Sequence, residues 1–126
     1  MQVLDKLKYT KEHEWIDAKD DETGLVGITD FAQGELGDVV FVELPNIGDV
    51  FEKGDVFGTV EAVKTVADLY IPVSGKIVEI NENLESVPEL INSSPYEKGW
   101  IVKVELSNPS EVEELLNSKD YEGLIK

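Results

Sequence analysis

The sequence contains no cysteine. A disulfide framework, a thiol nucleophile and a thiolate metal site are therefore excluded. Histidine occurs once, at His13, with no partner residues at metal-ligand spacing. We expect His13 to be structural or solvent-exposed, and we expect neither a metal site nor catalytic residues in this chain.

Arginine is also absent, so all 11 basic residues are lysines, against 27 aspartates and glutamates. The formal net charge of -16 argues against nucleic acid as a partner, because phosphates require a basic surface. The chain also lacks the planar guanidinium group that is best suited to hold phosphate or carboxylate ligands. An acidic surface favours solubility and attracts partners that carry basic patches.

Long apolar runs are missing as well, so no membrane span and no membrane partner are expected. The first ten residues, MQVLDKLKYT, resemble neither a signal peptide nor an arginine-rich transit peptide. We therefore expect a cytoplasmic chain, or the mature form of a mitochondrial one. Its 126 residues, 41% of them hydrophobic, are enough for one domain with a buried core.

Short segments rich in valine and isoleucine, separated by turns that contain glycine, predict a β-rich fold. The predicted strands are residues 9–16, 24–28, 39–44, 76–80 and 100–106, with a short strand or crossing at 50–51. The two sides of residue 64 are loosely alike, as in a small barrel or flattened sandwich of two related halves.

Helical signals are fewer. Thr29 is expected to cap a short helical turn that Gly34 ends. Residues 81–99 are predicted to form a loop. After Pro109, the spacing of Val112, Leu115 and Leu116 is typical of an amphipathic C-terminal helix.

The segment around Lys64 is ambiguous by local pattern. Val63, Val66, Ala67 and Tyr70 have helical spacing, and no Gly, Pro or Asn marks a tight hairpin turn. The abundance of valine and the short strands on either side favour a hairpin instead. Periodicity alone slightly favours a helix, with Lys64 as an ordinary surface residue.

Six motifs, taken together, resemble the family of H proteins of the glycine cleavage system, and the similarity covers nearly the whole chain. The motifs are YTKEHEW at 9–15, VGITDFAQ at 26–33, LGDVVFVELP at 36–45, VEAVKTVAD at 60–68, PVSGKIVEIN at 72–81 and LINSSPYEKGW at 90–100. One departure is the alanine of Glu61-Ala62-Val63-Lys64, where the family often has serine.

The resemblance implies a flattened β-barrel of the hybrid lipoyl type (a barrel-sandwich hybrid) with a few short helices, including a C-terminal one. It implies one domain over residues 1–126, with a lipoyl-type core at about 24–106 and a helical extension at about 109–126. It also places Lys64 on the tip of a hairpin, contrary to the local helical pattern, as the attachment point of lipoic acid.

The function implied by the resemblance is that of a lipoyl-carrying shuttle, which acts as a tethered substrate and not as an enzyme. Its arm would move an aminomethyl group from glycine decarboxylase to the aminomethyltransferase, and dihydrolipoyl dehydrogenase would reoxidise it. Lipoate-attaching enzymes are further expected partners of a chain that we expect to be monomeric. Glu14 and Asp68 are the candidate contacts to the cationic amine of the loaded arm.

Four other interpretations compete with this one. A biotin carrier usually has methionines beside its lysine, whereas this chain has Val63 and Thr65. An H-like relay that supplies lipoyl groups to 2-oxoacid dehydrogenases would carry the same motifs. An enzyme would need a catalytic constellation that the sequence lacks, and in an unmodified acidic adaptor Lys64 would simply be solvated.

The two tryptophans, Trp15 and Trp100, are expected to anchor the core.

Overall fold

Two antiparallel β-sheets dominate the structure, a computed structural model that describes residues 2–18, 20 and 22–125. The strands in these residues are β1 Lys8–Tyr9, β2 Glu14–Asp17, β3 Thr23–Ile28, β4 Val39–Glu43, β5 Val50–Phe51, β6 Val56–Ala62, β7 Val66–Tyr70, β8 Gly75–Ile80 and β9 Val102–Leu106. The helices are α1 Asp30–Leu36, α2 Asn83–Ser86, α3 Leu90–Ser93, α4 Ser118–Leu124 and a 3-10 helix, Pro109–Glu114.

The larger sheet has six strands in the order β1-β2-β3-β9-β8-β5, and the smaller sheet has three in the order β4-β6-β7. In the smaller sheet, side chains alternate between the two faces apart from register shifts at Val39/Phe41 and Val56/Gly58. The cross-strand row Val42, Val60 and Ala67 faces inward, and the next row, Phe41, Glu61 and Val66, is exposed. The mainly β architecture with short helices confirms the predicted barrel-sandwich hybrid.

The main core lies between the two sheets. Its buried members come from nearly every strand and from the short helices, and they are mostly valine and isoleucine. Leu84 of α2 and Ile91 of α3 belong to this core. The two short helices therefore pack against the main core.

A second buried cluster joins the two ends of the chain. It contains Leu7, Tyr9, Trp15 and Tyr121. The Tyr9 and Tyr121 rings are stacked, with centroids 4.5 Å apart. Trp15 is 1% exposed, as expected of a core anchor, whereas Trp100 packs half-buried against the same cluster.

The single strand predicted for residues 9–16 is wrong, because two strands and a turn occupy the segment. β1 and β2 pair antiparallel, with Tyr9 opposite Trp15, and the polar residues between them form the turn. His13 completes the turn with a φ of 73°, an uncommon conformation for a residue other than glycine. The alternation in the sequence identified strand residues but did not reveal the reversal.

Thr29 caps α1 as predicted, since its side chain accepts a hydrogen bond from the Ala32 N–H. The predicted stop at Gly34 is wrong: α1 continues through Gly34 to Leu36. The helix ends at Gly37, whose φ of 81° lies in the left-handed region that favours glycine.

Two further expectations need correction. The predicted loop at 81–99 contains α2 and α3, two single turns too short to give a helical pattern in the sequence. The predicted C-terminal helix is interrupted between Glu114 and Ser118, because Leu116 leaves the helical path to pair with Tyr9. Asn117 then caps α4, the helix that the C-terminal segment does form.

Candidate functional site

Lys64 lies at the tip of the hairpin formed by β6 and β7, as the resemblance predicted and contrary to the slight preference for a helix. Glu61 pairs with Val66, and the Ala62 N–H donates to the Thr65 carbonyl at 2.7 Å, closing the turn. The positive-φ residues of the structure lie elsewhere, so this turn needs no glycine or asparagine. That explains why the sequence carries no turn signal at this point.

The tip rests on the segment that follows α1. The Val63 N–H donates to the Asp38 carbonyl at 3.0 Å. The alkyl stem of Lys64 lies over Gly37, where a Cβ atom would come within 3.4 Å of Lys64 Cε. Lys64 is exposed and belongs to none of the ion pairs found among residues 2–18, 20 and 22–125. The amine is therefore accessible on a supported tip.

A pocket of about 260 Å³ lies between α1 and β7, the second strand of this hairpin, and we call it the hairpin pocket. Its apolar lining is Ile28, Phe31, Ala32, Leu36, Ala67 and Leu69. Three carboxylates, Glu12, Glu35 and Asp68, also line it, together with His13. A pocket with an apolar lining and several acidic groups suits a ligand that has an apolar body and a cationic end.

Glu14 is only 2% exposed and already has partners. Its carboxyl accepts hydrogen bonds from the Thr10 hydroxyl at 2.6 Å and from the Tyr70 N–H at 3.3 Å. Burial raises the pKa of Glu14 to about 7, although these hydrogen bonds lower it in part. Glu14 lines a second pocket, of about 230 Å³, between Thr10, Tyr70 and the segment before α4.

His13 is half-buried and forms part of the wall of the hairpin pocket. Its Nδ1 lies 2.9 Å from the Tyr121 hydroxyl, and its ring lies 4.8 Å from that of Phe31. Burial lowers the pKa of His13, and the carboxylates of Glu12 and Glu35 oppose this in part. These contacts agree with the expected structural role.

The structure brings Lys64 and Asp68 to the same hairpin, with Asp68 on the wall of the hairpin pocket. Glu14 lines the other pocket, and Glu12 lines both. The reasoning from sequence missed Glu12 and Glu35. Glu35 shares a face of α1 with Phe31, one helical turn before it, and the wrong helix stop at Gly34 concealed this.

Two features are missing from the described part of the chain. None of its helices has both the length and the apolar character needed to cross a membrane. Residues 2–18, 20 and 22–125 also contain no group of three or more His, Asp or Glu side chains placed to hold a metal ion.

Comparison with known proteins points in one direction. Residues 7–126 match the family described as "Glycine cleavage H-protein". The chain is 57% identical over 125 residues to the glycine cleavage system H protein of Staphylococcus saprophyticus, covering 99% of this chain and 98% of that protein. It is 56% identical over 127 residues to the protein of the same name from Carboxydothermus hydrogenoformans, covering 100% and 97%. It also resembles a crystal structure of a glycine cleavage system H protein from Mycobacterium marinum, with a TM-score of 0.89, 41% identity and coverage of 96% and 97%.

Proposed function

Because the chain belongs to the glycine cleavage H-protein family, we propose that Lys64 carries its lipoyl group in amide linkage. The role of the chain is that of the family, the lipoyl-carrying shuttle of the glycine cleavage system. One observation carries the assignment to Lys64: it is an exposed lysine at the tip of a hairpin. The hydrogen bond from Ala62 to Thr65 closes this tip, and the hydrogen bond from Val63 to Asp38 holds it in place. Such a tip presents the amine on a rigid support.

The residues around the tip fit a lipoyl group. Attachment forms one bond, between Lys64 Nζ and the carbonyl carbon of an activated lipoate, as the activating group leaves with the carboxyl oxygen and the amine loses a proton. When bound, the group supplies a disulfide that opens to accept a one-carbon unit on sulfur. The apolar lining of the hairpin pocket, near the base of the arm, would exclude water from it.

Asp68 is the carboxylate that we assign to a cationic amine carried into the hairpin pocket. It follows Lys64 on β7 and lines that pocket with Glu12 and Glu35. Glu14 contributes less directly, by accepting the Tyr70 N–H and so supporting the strand that carries Asp68. Pairing of its ammonium group with carboxylates beside an apolar surface would protect the carried aminomethyl group from hydrolysis.

The chain itself then acts as a carrier and not as a catalyst. Its proposed partners are glycine decarboxylase, the aminomethyltransferase, dihydrolipoyl dehydrogenase and the lipoate-attaching enzymes. Tethering raises the concentration of the arm at each of their sites. The bacterial relatives support a cytoplasmic location. The relay alternative is not favoured, because these relatives are named for glycine cleavage.

Intact-mass and peptide analysis of protein made in a lipoate-competent host tests the proposal. We expect one lipoyl increment on Lys64, none in Lys64→Arg, and full glycine oxidation only with the modified protein and its partner enzymes. Lys76→Arg, which alters an exposed lysine on β8, is the matched control and should keep the increment. A biotin increment, or an unmodified Lys64, would refute the assignment.

The same preparations test the pocket. Asp68→Asn should speed loss of the carried amine to water by about threefold to tenfold, the effect of about 0.6–1.4 kcal/mol. Glu43→Gln is the control, since Glu43 is an exposed carboxylate in the same cross-strand row and does not line the hairpin pocket. Unchanged release of formaldehyde and ammonia in Asp68→Asn and Glu14→Gln would exclude the carboxylate contacts.

A further inference from the structure

Asn92, on α3, makes three hydrogen bonds with its side-chain amide, two of them to the backbone of the segment beneath Lys64. Its Oδ1 accepts the Val39 N–H at 2.9 Å. Its Nδ2 donates to the Gly37 carbonyl at 2.9 Å and to the Gln33 side-chain oxygen at 3.0 Å. One half-buried amide therefore connects the end of α1 with the start of β4.

The orientation of this amide is determined at both ends. The Val39 N–H can only donate, so it requires an oxygen of Asn92. Gln33 donates its own amide nitrogen to the Asp30 carboxylate at 2.7 Å, which leaves its oxygen towards Asn92. A carboxylate at position 92 would therefore place acceptor against acceptor at Gly37 and Gln33.

Asp38, the residue between these two anchor points, holds the hairpin tip. Its carbonyl accepts the N–H of Val63, the neighbour of Lys64. Gly37, the residue before Asp38, lies under the alkyl part of the Lys64 side chain. Asn92 thus holds the residues on both sides of Asp38, although it lies far from Lys64 in the sequence.

We infer that Asn92 is a positioning residue for Lys64: through Gly37 and Asp38 it sets where the hairpin tip presents the amine for acylation. This rests on the proposed function of Lys64. Without the amide, the segment from Gly37 to Val39 keeps its pairing with the hairpin and the Gly37 N–H bond to Gln33 but loses two anchors to α3. Asp38 then shifts more readily, and the tip spends less time in the conformation that an acylating enzyme accepts. Because apparent affinity falls with the fraction of molecules in the competent state, the KM for the protein rises while kcat stays the same.

Two variants test this in the full-length chain. Asn92→Ala removes all three hydrogen bonds, and Asn92→Asp keeps the acceptor for the Val39 N–H but loses both donors. With a lipoate-attaching enzyme, lipoate and ATP, we expect each variant to raise the KM for the protein about tenfold, which corresponds to about 1.4 kcal/mol. The kcat should stay within about twofold.

Amide hydrogen exchange gives a readout that does not depend on acylation. We expect the Val63 N–H to lose about tenfold in protection in both variants, because its opening is local. Val60, which is fully buried on β6, reports on global unfolding in the same spectra. A purely structural role for Asn92 would lower the protection of Val60 and Val63 together.

Asn81→Ala is the matched control. Asn81 uses its amide in the same way, donating to the Lys98 and Trp100 carbonyls and accepting the Asn83 N–H. Those partners are not part of the segment beneath the hairpin tip. We expect Asn81→Ala to lower the free energy of unfolding but to leave the KM and the Val63 protection relative to Val60 at wild-type values.

The outcomes are distinct. A wild-type KM with unchanged Val63 protection in Asn92→Asp would overturn the positioning role and leave the carrier function intact. If wild-type protein were never acylated on Lys64, the proposed function would fail, and hydrogen exchange would still decide whether Asn92 holds the tip. If Asn92→Ala does not fold, Asn92→Asp decides by the same two measurements.

Discussion

At the scale of single residues, Glu14 differs from the other acidic residues that the structure describes, because its side chain is buried. It is a carboxyl group buried beside β7, in a protein with a net charge of -16. The hydrogen bonds that it accepts from Thr10 and Tyr70 do not offset the loss of hydration, so burial raises the pKa of Glu14 to about 7. Glu14 therefore keeps its proton in the folded chain at a pH where the unfolded chain has lost it.

This difference predicts the direction of a pH dependence. Between the ordinary carboxyl pKa and about 7 the folded state binds more protons at Glu14, so its contribution to stability is present at low pH and is lost as the pH rises through 7. Compared with Glu14→Gln, which mimics the protonated form, the wild type should lose up to about 3 kcal/mol over this range.

Urea unfolding of both proteins at a series of pH values from 4.5 to 8 measures this difference. Glu43→Gln serves as a control, because Glu43 is exposed and is not among the charges that act on Glu14. Parallel stability curves for the wild type and Glu14→Gln would contradict the raised pKa.

At the scale of secondary structure, α1 connects the hairpin pocket with the tip. Thr29 caps its first turn, Phe31 and Glu35 line the pocket, and Gly37 ends the helix under Lys64. Gly34 was predicted to end the helix but lies exposed within it, with no atom within 4 Å of the position a Cβ would take. Of these two glycines, only Gly37 has the left-handed backbone conformation that favours glycine.

The two glycines should therefore respond in opposite ways to alanine. Gly34→Ala should raise the free energy of unfolding by about 0.5–1 kcal/mol, because glycine is a poor helix residue. Gly37→Ala should lower it by about 1–2 kcal/mol, since its φ of 81° is strained for alanine. Thermal and urea unfolding measure both, and a destabilised Gly34→Ala would show that α1 ends early.

At the scale of the whole molecule, the C-terminal helix is tied to the start of the chain. Tyr121 of α4 stacks on Tyr9, and its hydroxyl lies 2.6 Å from Thr29 Oγ1 and 2.9 Å from His13 Nδ1. Burial raises the pKa of Tyr121 to about 12, so the hydroxyl keeps its proton and can donate to one of these neighbours. We propose on this basis that the chain unfolds as a single domain, including the segment after Pro109.

Tyr121→Phe tests this connection. Removal of the hydroxyl leaves buried polar groups without their partner, and we expect a loss of about 1–2 kcal/mol of unfolding free energy in one cooperative transition. Leu124→Ala, a change at a 46% exposed side chain of the same helix, should stay within about 0.5 kcal/mol. Urea unfolding followed by tryptophan fluorescence measures both, and separate unfolding of α4 would contradict the single domain.

Much of the fold was predictable because local chemistry specifies it. Valine-rich segments bounded by glycine became strands at β3, β4, β5, β8 and β9, and Thr29 proved to be a cap. The errors have more than one cause: α2 and α3 are too short to give a pattern, whereas the turn at His13 and the break at Leu116 depend on contacts with distant residues. Local pattern contains no information about such contacts.

The sequence by itself determined the family through its six motifs, and with the family it determined Lys64 as the candidate attachment point at a hairpin tip. Periodicity around Lys64 pointed the other way, since a turn with negative φ leaves no residue signature. Only the tertiary structure decided what surrounds the tip: Asp68 on the wall of the hairpin pocket, Glu14 buried elsewhere, and Asn92 beneath Gly37 and Asp38. The reason is physical, because side-chain partners are chosen by how the sheets pack, and packing brings together residues that are far apart in the chain.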